Sequence, residues 1–66
     1  SKSGTMKSLT SKLDAAEKSV AKGNSKAAVN QLEAFISEVK AQSGKSITPQ
    51  AAAILIADAK YLIANL

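Results

Sequence analysis

The chain has 66 residues, no cysteine, no histidine and no arginine, with nine lysines against five acids for a formal net charge of +4. That length supports one small domain, of a size where a single hydrophobic core is barely sufficient. Disulfides are excluded, and without His, Cys or Arg no constellation supports nucleophilic, phosphoryl or metal chemistry, so no enzyme, no metal and no cofactor is expected.

Residues 1–4 are small and polar and read as a flexible N-terminal tail. Thr5 is placed to cap a first helix running to about residue 22, with Met6, Leu9, Leu13, Ala16 and Val20 recurring at alternating steps of three and four. That stripe is narrow, so this helix is expected to lie across the other two, with its lysines in water and their stems over apolar surface. Gly23 stops it in the position where a left-handed residue closes a helix, and Asn24 or Ser25 caps the next.

The second helix is expected over about 25–42. Ala28, Val29, Leu32, Phe35, Ile36 and Val39 form its apolar face, and Lys26, Asn30, Glu33, Ser37 and Glu38 its polar one. The short Gly23-Asn24 connection forces an antiparallel hairpin or a sharp corner. Gly44 ends this helix, and Ser43-Gly44-Lys45-Ser46 leads to Ile47, an apolar residue placed to staple onto Ala52.

The third helix, about 49–65, opens with a Thr48 cap and Pro49 at its first position. Ala52, Leu55, Ile56, Ala59, Leu62, Ile63 and Leu66 make the most apolar stripe in the chain, expected to supply the largest share of the core. Ile54 and Tyr61 lie on the opposite side, flanked by Asp58 and Asn65, while Ala53, Ala57 and Ala64 form a small-residue side that another helix could approach closely. Although this helix is long enough to span a membrane, Gln50, Asp58, Lys60 and Asn65 interrupt it, so no membrane insertion is expected. With no strand alternation and with Gly and Pro at the boundaries, the fold class is all-α: a three-helix up-down-up bundle over residues 5–66, the second and third helices forming the main pair.

Motif by motif, chemistry gives way to packing. Gly44-Lys45-Ser46 resembles the end of a phosphate-binding loop, but Val39 stands where that loop needs its first glycine and no strand precedes it. Asp14 and Glu17 sit three apart on the first helix, where pairing of Asp14 with Lys18 accounts for them better than acid–base work. A calcium site from Asp58 with Glu33 or Glu38 lacks the loop of oxygen ligands that calcium needs. Charge is one-sided: Lys2, Lys7, Lys12, Lys18, Lys22 and Lys26 face only Asp14 and Glu17 within residues 1–26. A lysine-only surface with one Tyr and one Phe reads nucleic acid poorly, because base readout favours arginine forks and stacking needs exposed aromatics.

From Leu9 to Leu66 the chain resembles the FIMAH-like domains, small helical modules of secreted and surface proteins of bacteria. The resemblance rests on KLDAAEKSVAKGN (Lys12 to Asn24), KAAVNQLEAFISEVKAQSGKSIT (Lys26 to Thr48) and LIADAKYLIANL (Leu55 to Leu66), and above all on Gly23-Asn24, the Leu32…Ala34-Phe35-Ile36…Val39 run and Gly44-Lys45. It implies an accessory role outside the cytoplasm, appended to a larger protein, and it brings no active-site residues. The start at Ser1 is what an excised domain or a processed product would show.

The expected function is therefore a non-catalytic docking or spacer module of a larger secreted or cell-surface bacterial protein. Its partner would be a protein or an adjacent domain of the same parent, met through Ile54, Tyr61, Asp58 and Ala57, with the lysines of the first helix steering towards an acidic surface. The alternative is polyanion binding, to cell-wall polymer or nucleic acid, by Lys7, Lys12, Lys18, Lys22 and Lys26. A lytic or membrane-surface peptide ranks last, since the most basic helix has the weakest apolar stripe.

Overall fold

A computed structural model describes residues Lys2–Leu66. Three helices follow one another, α1 (Lys2–Ala21), α2 (Ser25–Gln42) and α3 (Pro49–Ala64), with no strand among the described residues: an all-α, up-down-up three-helix bundle. α1 begins at Lys2, so the segment Lys2–Gly4 that reads as a tail is helical, and Ser1 lies outside the described residues. Thr5, placed by its sequence as a cap, sits inside the first turns and is buried. A glycine at position 4 costs a helix about 1 kcal/mol relative to alanine, and packing of the turn that holds Thr5 and Leu9 offsets it.

The two connections are built as their glycines require. Gly23 adopts φ +76°, its N–H donating to the Val20 carbonyl (2.9 Å) and the Asn24 N–H to the Ser19 carbonyl (2.8 Å), the paired bonds that close a helix on a left-handed residue. Asn24 then caps α2, its Oδ1 accepting from Ala27 N at 3.1 Å. Gly44 (φ +82°) turns the chain again, with its N–H donating to the Ile47 carbonyl at 2.7 Å. Lys45 and Ser46 belong to this helix–helix turn. Thr48 Oγ1 accepts from Ala51 N at 3.2 Å, with Pro49 in the first turn where its missing N–H costs nothing.

The core corrects the expected division of labour. α2 is the central helix, burying Ala28, Leu32, Phe35, Ile36 and Val39, whereas α3 fully buries only Ala52 and Ala59. The more extensive contact is α1 on α2, not α2 on α3. α1 therefore does not lie across the other two helices, as its narrow stripe suggests, but packs on α2. Leu9 and Ala16 join the buried core, with Leu13 packed against it, and polar contacts add to them. Ser8 Oγ donates to Glu38 Oε1 at 2.8 Å, Lys12 Nζ meets the same oxygen at 2.8 Å, and Ser19 Oγ lies 2.8 Å from the Gln31 amide. With its nitrogen turned inward, that amide also donates to the Ala15 carbonyl at 3.1 Å. Glu38, read as part of the solvent face of α2, is in fact an α1–α2 clip.

α1 thus lies along the flank of α2 and away from α3. Among the described residues, no Cα of α1 comes within 8 Å of a Cα of α3. The molecule accordingly measures 34 × 21 × 12 Å, wide and thin. α1 and α3 run parallel on either side of α2, and a seam stays open between them.

Candidate functional site

The seam is where the exposed apolar surface collects. Among the described residues the exposed large apolar side chains are Met6, Val20, Ile54, Tyr61, Leu62 and Leu66, all on α1 or in the α3 segment and none on α2. Along α1 the seam wall is Met6, Leu13 and Val20, seven residues apart and so nearly aligned on one helix face. Along α3 it is Leu55 and Leu62, again seven apart, with Leu66 a turn further on.

Two hollows mark the ends of this seam. At the C-terminal ends of α1 and α3 a groove of about 240 Å³ is walled by Leu13, Val20, Leu62 and Leu66, floored by Leu32 and edged by Glu17. At the other end a shallower hollow of about 400 Å³ lies among Met6, Ile47, Ala51, Ile54 and Leu55. Leu62 is 44% exposed while Leu32 beneath it is 2% exposed. Leucine, valine and methionine side chains left this open lose the benefit of burial, about 25 cal/mol per Å² of apolar surface.

Of the residues singled out from the sequence, Ile54 (63% exposed) and Tyr61 (69%) stand in solvent. Ile54 lies about 80° round α3 from Leu62 and lines the second hollow, whereas Tyr61, about 100° round, faces away from the core and lines neither hollow. Asp58 is exposed one turn before Leu62, at the rim. Ala57 is exposed too, but about 60° beyond Ile54 on the side away from the seam, so it does not join the others. The seam's own walls were absorbed into the expected core: Leu13, Val20, Leu62 and Leu66 have helical periodicity, and periodicity does not tell a buried wall from an open one.

The five lysines singled out as a polyanion site do not converge on the seam. Lys7, Lys18 and Lys22 lie about 120–180° round α1 from Leu13, and Lys26 is exposed in the first turn of α2. Lys12 is taken by Glu38, and Lys18 pairs with Asp14 one turn away at 3.3 Å. Lys12's hydrogen bond, and secondarily that of Ser8, holds the Glu38 carboxyl below its ordinary value of 4.5, against the opposing effect of its partial desolvation. No helix among the described residues is long and apolar enough to cross a membrane, and no group of three or more acidic, His or Cys side chains there is placed to hold a metal ion.

Comparison with known proteins adds one finding. The family model of the FIMAH domain matches residues 1–64, which is nearly the whole chain. No curated protein matches, and no solved structure does.

Proposed function

The chain belongs to the FIMAH domain family, and from that membership and the open seam we propose that it is a non-catalytic docking module. In this reading it is part of a larger secreted or cell-surface bacterial protein, where it engages a protein partner or an adjacent domain of the same parent. The observation that carries the proposal is the exposed apolar surface along the α1/α3 seam, with Ile54 beside it and Tyr61 further round α3. A small domain with a core this thin has every reason to bury such residues, and leaves them out at a cost in stability. Contiguous apolar surface of this kind on a soluble domain marks an interaction site.

Docking would bury Leu62, Leu66 and Val20 in the groove while Tyr61 supplies a large amphipathic contact beside it, the combination that dominates interface energetics. The experiment is the double substitution Ile54→Ser/Tyr61→Ser. Both positions are exposed, so helicity and melting temperature should hold while association with the parent protein or partner is lost. Unchanged association would remove this reading.

Polyanion binding is the second reading, favoured by Lys7, Lys22 and Lys26, which carry no ion pair among the described residues. It predicts affinity for an acidic polymer that falls steeply with salt. Absence of binding at low ionic strength would exclude it. Dispersal of these lysines over different faces, and the commitment of Lys12 and Lys18 to carboxylates, place it behind docking.

A further inference from the structure

Two carboxylates stand guard over the seam. Glu17 follows Leu13 by one turn of α1 and edges the groove, while Asp58 precedes Leu62 by one turn of α3, on the opposite rim of the seam and nearer its middle. Both are exposed, and neither has an ion pair among the described residues, whose two salt bridges engage Glu38 and Asp14. In a chain of net charge +4, the rims of its apolar seam are thus lined with unpaired negative charge.

We propose that the seam takes a single amphipathic α-helix whose apolar stripe is flanked by lysine or arginine, and that this helix completes a four-helix bundle with α1, α2 and α3. The inference rests on the docking reading and deepens it by naming the occupant. Three features select a helix. The walls are themselves two parallel helices, which leave between them a trough along the bundle axis. Their leucine, methionine and valine rows repeat every seven residues, the spacing into which the knobs of a further helix fit. From Met6 to Val20 the α1 wall extends 14 residues, or about 21 Å, enough for about four turns of an occupant. An amphipathic helix laid in an apolar groove is a recurrent mode of peptide recognition.

Charge selects which helix. Basic residues flanking the occupant's apolar stripe can meet Glu17 on one side and, further along the seam, Asp58 on the other, while acidic ones there are repelled. A second copy of this chain fits poorly by the same criterion. Seam against seam, it would bring Glu17 and Asp58 of one copy towards those of the other. Lys7, Lys18 and Lys22 are turned to the far side of α1 and cannot neutralise them.

Two synthetic helical peptides test this, sharing one leucine stripe at heptad spacing, with lysine flanking it in one and glutamate in the other. Fluorescence anisotropy against the full chain should show the lysine peptide binding tighter by roughly tenfold or more, equivalent to about 1.4 kcal/mol. The exposed pair Glu17→Lys/Asp58→Lys should invert that preference with helicity unchanged by circular dichroism. Equal affinity for the two peptides would overturn the charge-selected occupant while leaving apolar docking in place. Binding of neither would overturn a helical occupant, and the Ile54/Tyr61 substitution would then judge docking by itself. A dimer in sedimentation that the peptide does not dissociate would assign the seam to a second copy and overturn the proposal.

Discussion

Leu32 and Leu62 share the apolar periodicity of their helices, yet the structure assigns them opposite jobs, and alanine substitution at each separates the two. Leu32 is 2% exposed at the centre of α2. Its truncation removes buried methyl groups and leaves a void, a change that costs about 2–5 kcal/mol in well-packed cores. Leu62 is 44% exposed, so only a little over half of its side chain contributes. Complete burial of a leucine contributes about 1.5–3 kcal/mol, and its truncation here should cost about 1 kcal/mol, reduced by a few tenths because alanine is the better helix former. For a domain of this size about 1 kcal/mol moves the melting temperature by about 4–8 °C. Thermal melts followed by far-UV circular dichroism should therefore show Leu62→Ala shifted by no more than about 8 °C, and Leu32→Ala by considerably more or unfolded at the outset. Equal costs at the two positions would mean that Leu62 is core and that α3 closes on α1, which would refute the open seam.

The remaining expectations concern the core, a cap and a titrating clip. Phe35 is among the largest fully buried side chains, and Phe35→Ala should cost about 3–5 kcal/mol, as much as a domain this small has in hand, so an unfolded circular dichroism spectrum is expected and a melt barely shifted would contradict it. Thr48→Ala removes the bond to Ala51 N and should cost about 1 kcal/mol, while Thr48→Ser retains it; equal loss in both would assign the effect to something other than the cap. Because Glu38 has its folded-state pKa lowered, its contribution to stability is fully present above the ordinary value of 4.5 and is lost as pH falls through the lowered folded value. Urea midpoints measured down that range should fall less steeply in Glu38→Gln than in the parent chain, and parallel curves would show that the clip does not titrate with folding.

Local signals carried most of the fold. Gly23, Gly44, Asn24, Thr48 and Pro49 announce their turns and caps through backbone chemistry that depends on near neighbours only. What local pattern could not supply was the partner of each face. α3 is the most apolar helix in the chain, but its hydrophobicity is spread around more than one side, so it gives less to the core than α2, whose apolar residues sit in one sector. Beside the buried Leu9 and Ala16, α1 is attached by Ser8, Lys12 and Ser19 meeting Glu38 and Gln31, pairings between residues 12 to 30 positions apart that no helical period reveals. The site was half legible. Ile54 and Tyr61 stand out as apolar residues on the wrong side of their helix, whereas Leu13, Val20, Leu62 and Leu66 look like core until α1 and α3 are seen to stay apart.

The central claim is that the α1/α3 seam is the face through which this domain meets another polypeptide. Methyl-detected NMR of the labelled chain, titrated with the lysine-flanked leucine-stripe peptide, is the decisive measurement. Shifts should concentrate on the methyl groups of Leu13, Val20, Ile54, Leu62 and Leu66, with the outer lysine face of α1 unmoved. Shifts confined to the surroundings of Lys7, Lys22 and Lys26, with the seam methyls silent, would contradict it.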